Sequence, residues 1–234
     1  MRALILCAGA GTRLRPLTQI MPKPLVEVAG IPMAVRQMRA LARAGIEGLV
    51  VNAASGADRL LGVLGDAERW GMSFRFSVEG CEADDALETK GGIAKALDYL
   101  TEKDDAFIVA AGDIVTDFDY SRLVAAGACL SAEGVLAHLV LVPNPDFHPN
   151  GDLALTDEGK LSMAGEKFTF ASFGVYHKAL FENVPVERAP LFPWLFDFVR
   201  AGRLTGELYK GRWANVGSVE ELARAEALFA GEAS

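Results

Sequence analysis

Residues 3–18 of the chain are ALILCAGAGTRLRPLT, in which a short apolar run leads into a loop of small residues. The run Ala3–Leu6 has the length and composition of a buried strand. Gly9 and Gly11 in the following loop lack a Cβ, so backbone N–H groups there can approach a phosphate closely. A tight turn between a strand and a helix would use the same two glycines, so both interpretations stay open on this evidence.

Short apolar runs and helical patterns go on alternating through the first part of the chain. The β-rich runs predict strands at Ala3–Leu6, Leu49–Asn52, Phe74–Val78, Phe107–Ala111 and His138–Val142. Apolar residues at three- and four-residue spacing predict helices at Val35–Ala44, Asp58–Leu64, Gly92–Leu100 and Tyr120–Ala126. Strands joined by helices form an α/β fold with a mostly parallel sheet, and ligands bind beyond the carboxyl ends of such strands.

The pattern changes after Val142. Two strands are predicted without a helix between them, followed by two helices, at Leu153–Thr156, Phe168–Tyr176, Pro193–Ala201 and Val219–Phe229. Ser218 is the predicted N-cap of the last helix. We therefore expect a single domain over residues 1–234, with a nucleotide-binding half at about 1–142 and a second half at about 143–234 that closes over it.

Composition excludes several classes of protein. The 234 residues are 51% hydrophobic and carry a formal net charge of −8, which fits a folded domain and argues against a disordered chain or a nucleic-acid-binding protein. The longest stretch without a charged residue, Gly134–Pro145, is shorter than a membrane helix needs. Cys7, Cys81 and Cys129 form no C-x-x-C pair, so neither a disulfide framework nor a zinc site is predicted. A cytoplasmic enzyme with no membrane or nucleic-acid partner is the expectation.

The loop after the first strand differs from two familiar phosphate-binding motifs. A dinucleotide motif G-x-G-x-x-G would need glycine in place of Leu14, and a Walker loop would end in G-K-[ST]. The loop instead contains Arg13, and Lys23 follows between Pro22 and Pro24. A guanidinium can clamp phosphate oxygens and an ammonium acts as a compact charge. The flanking prolines predict that Lys23 lies on a stiff, extended segment.

Residues 6–18, LCAGAGTRLRPLT, together with PKPL at 22–25, resemble the signature of the sugar-1-phosphate nucleotidyltransferases. The resemblance extends along nearly the whole chain, and within that family it is to the bacterial N-acetylmuramate α-1-phosphate uridylyltransferases in particular. The matching segments are Leu64–Asp66, Leu87–Thr89 with Gly91–Ile93, His138–Val142 with Asn144 and Pro145, His148, Gly151 with Asp152, Phe168–Phe170, and Gly206 through Gly217. The family implies a Rossmann-like three-layer core, Mg²⁺, and two substrates, a nucleoside triphosphate and a sugar 1-phosphate.

Two residues are candidate metal ligands. Asp113 follows the predicted strand Phe107–Ala111 and a glycine, so its carboxylate is expected at the ligand edge of the sheet, although a turn aspartate would have the same sequence context. Residues 212–218, RWANVGS, resemble the W-x-D-V-G-T of the uridylyltransferases, with Asn215 in place of the aspartate. The carboxamide still offers one oxygen, so weaker metal binding is expected, and an inactive homologue is the alternative.

The resemblance also implies residues for each substrate. For the nucleotide they are Ala8, Gly9, Ala10, Gly11, Thr12, Arg13, Lys23, Glu79 and Thr89, and Arg13, Lys23 and Asp113 are the predicted catalytic residues. Lys90 replaces a glycine of the usual L-E-T-G-G-G, and it either contacts phosphate or is solvated. For the sugar phosphate the matching positions are Asn144, Gly151, Asp152, Glu166 and Lys167, of which the charged pair 166–167 could equally be surface.

The leading hypothesis is a Mg²⁺-dependent transfer of a uridylyl group from UTP to N-acetylmuramic acid 1-phosphate. A guanylyl- or thymidylyltransferase acting on another sugar 1-phosphate is the alternative within the class. A nucleotide-sugar-binding homologue without catalysis is the alternative outside it, and Asn215, Lys90 and Ser218 are the departures that motivate it. The sequence specifies no oligomeric state.

Overall fold

The computed structural model describes residues 1–54, 56–65, 71–80, 82 and 85–231. The described strands are β1 (Arg2–Leu6), β2 (Glu27–Val28), β3 (Ile31–Pro32), β4 (Gly48–Ala53), β5 (Ser73–Val78), β6 (Ala106–Ala111), β7 (Ile114–Thr116), β8 (Ala137–Val142), β9 (Leu153–Leu155), β10 (Leu161–Ser162), β11 (Lys167–His177), β12 (Leu204–Leu208) and β13 (Trp213–Asn215). The α-helices are α1 (Leu17–Ile20), α2 (Met33–Arg43), α3 (Ala57–Leu64), α4 (Glu88–Leu100), α5 (Ser121–Gly127), α6 (Leu195–Arg200) and α7 (Val219–Leu228).

A mixed sheet of nine strands forms the centre of the fold. Strands β6, β1, β4 and β5 are mutually parallel, and β11 continues the sheet antiparallel to β6. Strands β8 and β9 pair with β11, while β12 and β10 extend the sheet beyond them. The parallel strands end at one edge, where Leu6 lies between Asn52 and Ala111. The prediction of an α/β fold with a largely parallel central sheet is confirmed, and each strand and helix predicted by periodicity is present.

Both faces of the sheet are buried, as continuous apolar strands require. On β1, Ala3 and Ile5 belong to one core cluster, while Leu4 belongs to a second cluster on the opposite face. The second cluster extends into the later half of the chain, because Phe107 stacks on Tyr176 and contacts Phe181. The first cluster likewise includes Phe173 and Val175 of β11. The two halves therefore share one sheet and both of its core clusters.

Several local features were not predicted or were predicted wrongly. Lys23 does not lie on an extended segment: Lys23–Leu25 form one turn of 3₁₀ helix. Pro24 is compatible with that turn, because its fixed φ fits a first helical turn and its missing N–H is not needed there. The sequence also gave no sign of the two-stranded sheet formed by β7 and β13. The predicted N-cap is confirmed, since Ser218 accepts a hydrogen bond from the Glu221 N–H at 3.2 Å.

Asp66, which is part of the family resemblance, and Cys81, one of the three cysteines, lie outside the described residues. Along the part of the chain that the structure covers, no helix is long and apolar enough to cross a membrane.

Candidate active site

A cleft of about 330 Å³ lies at the carboxyl edge of the parallel strands. It is bounded by the ends of β1 and β6, by the turn around Lys23 and by the first residues of α4. Of the residues predicted to bind the nucleotide or the metal, those that line it are Ala8, Gly9, Gly11, Lys23, Thr89 and Asp113. The structure thus brings together residues that are up to 105 positions apart, 113 − 8, in the sequence.

The glycine loop is shaped by contacts with the turn that carries Lys23. Gly11 has a φ of 60°, and a Cβ there would come within 2.9 Å of side-chain atoms of both Lys23 and Thr18. Thr18 Oγ1 donates a hydrogen bond to the Gly11 carbonyl at 2.8 Å. A side chain at residue 11 would therefore be strained and would push the Lys23 turn away, so glycine is needed here for its conformation and for close approach.

A series of hydrogen bonds through Asn52 and Glu79 holds the glycine loop, and sequence reasoning did not predict it. The buried Asn52, at the end of β4, accepts the Cys7 N–H at 2.6 Å through Oδ1 and donates to Glu79 Oε1 at 2.8 Å through Nδ2. Glu79 Oε2 accepts the Leu87 N–H at 2.7 Å. Asn52 thereby connects the glycine loop to the start of α4. The position of Asn52 at the ligand edge was the available signal, because polar residues that end parallel strands face the site.

The two predicted metal ligands are neighbours through β7 and β13. Asn215 is the register partner of Ile114, and the Val216 N–H donates to the Asp113 carbonyl at 3.0 Å. Lys23 Nζ forms an ion pair with Asp113 Oδ2, and both side chains are largely buried. No group of three or more His, Cys, Asp or Glu side chains suited to a metal is present among the described residues. A carboxylate and a carboxamide together offer the oxygen donors that Mg²⁺ prefers, and the remaining positions would be taken by water and phosphates.

Four of the predicted nucleotide residues do not line the cleft: Glu79, which is hydrogen-bonded to Asn52, and Arg13, Ala10 and Thr12. Arg13 is exposed and lies beside the start of α7, since a Cβ on Gly217 would come within 2.7 Å of Arg13 Nη2. Ala10 lines a smaller cavity of about 260 Å³ that also borders Gly9 and Lys23. Thr12 is exposed in the 3₁₀ turn that follows Gly11.

A second cavity of about 310 Å³ adjoins the cleft on the side of β11, and the two share Leu6, Thr89 and Ala111. Its other walls are mostly apolar and aromatic, formed by Val109, Phe170, Ser172, Tyr176 and Pro190–Phe192. Ser172 has a φ of 65°, in the left-handed region that costs energy for a residue other than glycine. Backbone strain of this kind concentrates at binding sites. Sequence reasoning did not single out Ser172 or the Pro190–Phe192 wall.

Three of the residues predicted for the sugar phosphate, Asn144, Gly151 and Asp152, are held by contacts within the protein. Asn144 donates to the Lys167 carbonyl at 2.8 Å and accepts from Thr169 Oγ1 at 2.9 Å. Asp152 contacts His148 Nε2 at 3.0 Å and accepts the Phe170 N–H at 2.8 Å. Gly151 has a φ of 57°, and a Cβ there would lie 2.7 Å from Asn144 Oδ1. These residues hold the loop before β9 against the start of β11.

The other two predicted sugar residues lie at that start. Glu166 is exposed, and Lys167 is partly buried as the first residue of β11. They are presented by the loop and strand that Asn144 and Asp152 hold in place.

A backbone strap links the second half of the chain to the first turn of α4. The Ala189 N–H donates to the Leu87 carbonyl at 3.0 Å, and the Lys90 N–H donates back to the Ala189 carbonyl at 3.0 Å. Glu88, with a φ of 57°, forms an ion pair with Arg188 at 3.3 Å. Lys90 Nζ lies 5.4 Å from the ring centre of Trp194, so the residue that departs from the family pattern contacts an aromatic ring. The strap fixes the wall between the two cavities.

The chemistry of the cleft is electrostatic rather than nucleophilic. Burial and then the charge of Asp113 raise the pKa of the Cys7 thiol far above its ordinary value, so Cys7 is a neutral, inert group. Trp213 donates its indole N–H to the Ala171 carbonyl at 3.0 Å and packs against the core. What remains is a glycine loop with Lys23 and Asp113 at one sheet edge, an arrangement suited to binding and aligning phosphates, while Asn215 lines a different cavity together with Trp213 and Arg224.

The model of the family described as nucleotidyl transferase matches residues 2–230. The chain belongs to this family of enzymes. It is 36% identical to an N-acetylmuramate alpha-1-phosphate uridylyltransferase of Neisseria meningitidis, over 97% of this chain and 98% of that protein. It is 32% identical to a protein of the same name from Caulobacter vibrioides, over 97% and 96% of the two chains. A mannose-1-phosphate guanyltransferase of Gibberella zeae is 28% identical over 98% of this chain and 64% of its own length.

Solved structures show the same fold. A putative glucose-1-phosphate thymidylyltransferase from Bacillus anthracis, in complex with a sucrose, superimposes with a TM-score of 0.83 and covers 97% of this chain and 94% of its own. HddC from Yersinia pseudotuberculosis, also solved in complex with GMP-PN, has a TM-score of 0.77 and covers 97% and 99% of the two chains. Both are 22% identical in sequence, so they establish the Rossmann-like α/β core alone.

Proposed function

We propose that the protein catalyses the Mg²⁺-dependent transfer of a uridylyl group from UTP to N-acetylmuramic acid α-1-phosphate, which yields UDP-N-acetylmuramic acid and pyrophosphate. The observation that carries the proposed reaction is the ion pair of Lys23 with Asp113 in the cleft beside the glycine loop, with Asn215 on the strand that pairs with β7 directly after Asp113. The choice of substrates rests on the two uridylyltransferases that match the chain over nearly its full length.

Residues of the chain itself bring together the two polyanionic substrates, the nucleoside triphosphate and the sugar 1-phosphate. Backbone N–H groups at Ala8–Gly11 and the Lys23 ammonium bind the triphosphate, and Arg13, in the turn after Gly11, adds a cation. Such alignment can contribute about 7–11 kcal/mol to lowering the barrier, so no covalent nucleophile is needed. Asp113 and Asn215 would hold Mg²⁺, which when bound neutralises phosphate charge and orients the reacting groups.

The pair Asn52–Glu79 fits the proposed base. A carboxylate only accepts hydrogen bonds, so Glu79 favours a base whose pairing edge carries a ring N–H, as uracil, thymine and guanine do. Adenine and cytosine have an acceptor nitrogen at that place and would be repelled. The adjoining 310 Å³ cavity, lined by Ser172 and the aromatic wall, is large enough to hold the sugar. We propose that Glu166 and Lys167 bind the hydroxyl groups and the phosphate of the sugar 1-phosphate.

A panel of assays tests the proposal. Pyrophosphate release is measured for each nucleoside triphosphate with several sugar 1-phosphates, at increasing Mg²⁺. We expect UTP with N-acetylmuramic acid 1-phosphate to be turned over best, and ATP and CTP to be poor substrates. A preference for GTP with mannose 1-phosphate would contradict the uridylyl assignment and favour the guanylyl alternative, which the 28% identity to a mannose-1-phosphate guanyltransferase motivates.

The variant Asn215→Asp tests whether Asn215 is a ligand of the proposed Mg²⁺. Asn215→Asp restores a second carboxylate beside Asp113 and should lower the Mg²⁺ concentration needed for half-maximal rate by about tenfold. Absence of turnover in both the native and the Asp variants, for every substrate pair, would support a homologue that binds nucleotide sugars without catalysis.

A further inference from the structure

The smaller cavity of about 260 Å³ adjoins the reaction cleft at the glycine loop. The two spaces share Cys7, Gly9 and Lys23. The rest of the smaller cavity is lined by Ala10, residues 18–22, Gly56 and Arg59. Its volume is that of roughly nine water molecules in the liquid, which is enough for two phosphoryl groups. The cavity therefore extends the cleft beyond the glycine loop.

Charged side chains are distributed differently in the two spaces. The cleft is lined by one cation, Lys23, and by two carboxylates, Glu88 and Asp113. The smaller cavity is lined by two cations, Lys23 and Arg59, and by no carboxylate among the described residues. A nucleoside triphosphate carries most of its negative charge on the β- and γ-phosphoryl groups. The charges of the two linings therefore favour these groups on the Arg59 side of Lys23.

The start of α3 packs directly on the turn that carries Lys23. Gly56, the residue before the helix, has a φ of 74°, and a Cβ there would lie 2.8 Å from Pro22 Cγ. Arg59 is exposed in the first turn of α3, and its N–H donates to the Gly56 carbonyl at 3.1 Å. The Arg59 guanidinium forms no hydrogen bond or ion pair with any residue that the structure describes. No such partner is therefore lost when Arg59 binds an anion.

We propose that Arg59 binds the β- and γ-phosphoryl groups of the nucleoside triphosphate in this cavity and holds them as they leave as pyrophosphate. The inference rests on the proposed transfer reaction. In that reaction an oxygen of the sugar phosphate bonds to the α-phosphorus. The bond from the α-phosphorus to the bridging oxygen breaks, and pyrophosphate leaves with that oxygen and its electron pair.

Arg59 has the chemistry that this leaving group needs. A guanidinium can donate two parallel hydrogen bonds to phosphate oxygens, and it stabilises the negative charge that develops on pyrophosphate as the bond breaks. Lys23 borders both spaces, so it lies between the reacting α-phosphate and the leaving group. The family motif names Lys23 but not Arg59, which lies on a helix well beyond the loop.

Binding of three probes to the full-length protein tests the proposal. Dissociation constants of inorganic pyrophosphate, UMP and UTP are measured by calorimetry at a constant Mg²⁺ concentration. Arg59→Gln should weaken the binding of pyrophosphate and of UTP by about tenfold or more and leave that of UMP within about twofold. Arg200→Gln is the matched control, because Arg200 is also an exposed arginine of a helix and lines neither space, and it should bind all three probes as the native protein does.

Three outcomes would overturn the proposal. Equal weakening of UMP and UTP in Arg59→Gln would show that Arg59 supports the site as a whole rather than the leaving group. The same dissociation constant for pyrophosphate in Arg59→Gln and Arg200→Gln would exclude contact with it, and so would absence of pyrophosphate binding to the native protein. Inorganic pyrophosphate carries no base, so it tests Arg59 whichever nucleoside triphosphate is the substrate. Turnover of GTP together with pyrophosphate binding that depends on Arg59 would contradict the uridylyl assignment alone.

Discussion

The loop after β1 and the loop before β9 both carry polar residues that match the family pattern, yet they use those residues differently. Beside the first loop, Lys23 and Asp113 lie in a cleft, and the loop presents backbone N–H groups. In the second loop, Asn144 and Asp152 are hydrogen-bonded to backbone and to neighbouring side chains. A residue at a matching position can therefore serve the reaction directly or hold the scaffold that does, and hydrogen-bond partners distinguish the two.

The largest effect is expected at the cleft. Asp113→Ala removes the carboxylate that pairs with Lys23 and the only charged candidate ligand of the proposed metal pair. Pyrophosphate release at saturating substrates should fall by about a thousandfold, because charge stabilisation is the main contribution to this chemistry. Asp119→Ala is the control, since Asp119 is exposed in the loop after β7. Near-normal turnover in Asp113→Ala would exclude Asp113 from the metal site.

A smaller effect that combines binding and stability is expected at Asn52. Asn52→Ala leaves the Cys7 N–H and one Glu79 oxygen without their partner, which should lower the free energy of unfolding by about 1–3 kcal/mol. The glycine loop would lose its support, so KM for the nucleotide should rise by about tenfold. Urea unfolding and steady-state kinetics check both parts, with the exposed Asn183→Ala as control. Loss of stability with an unchanged KM would show that the network does not position the nucleotide loop.

The sequence predicted the elements whose signal is local and missed those created by pairing at a distance. Strands such as β1 and β6 are continuous apolar runs, and residue patterns alone mark them. The pair β7–β13 consists of three-residue strands separated by nearly 100 positions, too short to carry a periodic signal. Their pairing is what brings Asn215 to Asp113. The family motif predicted Asn215 and Asp113 as a pair of ligands, which periodicity could not do.

Within the site too, the sequence did not predict contacts that side chains make with residues far away in the chain. The motif named Lys23 and Asp113, which face the cleft, but it did not name Asn52, whose role follows from contacts with residues 45 and 27 positions away. The turn at Lys23–Leu25 was predicted as extended, because the restriction that a proline imposes on its predecessor is a preference that tertiary contacts overcome. The close packing of Gly11 against Lys23 supplies such a contact.

A direct comparison of Asn144→Ala with Glu166→Gln sharpens the distinction between the two loops. Asn144→Ala breaks hydrogen bonds to Lys167 and Thr169 and should lower the free energy of unfolding by about 1–3 kcal/mol. Glu166→Gln changes an exposed side chain and should leave stability within about 0.5 kcal/mol while raising KM for the sugar phosphate. Unfolding curves and KM values for both variants are needed. A raised KM in Asn144→Ala without any loss of stability would assign Asn144 to ligand binding instead.

The smallest effect is expected at Lys90, where the chain departs from the glycine of its relatives. Lys90→Gln removes the charge beside the Trp194 ring and should lower the free energy of unfolding by about 0.5–1 kcal/mol. Lys90→Gly should lower it further, by up to about 1 kcal/mol, because glycine weakens a helix. Since the Lys90 side chain contacts the ring and not the cleft lining, kcat/KM should be unchanged in both variants. Lys95→Gln, an exposed lysine on the same helix, is the matched control. A fall in kcat/KM in Lys90→Gln that the control does not share would show that Lys90 leaves the ring and contacts the phosphates.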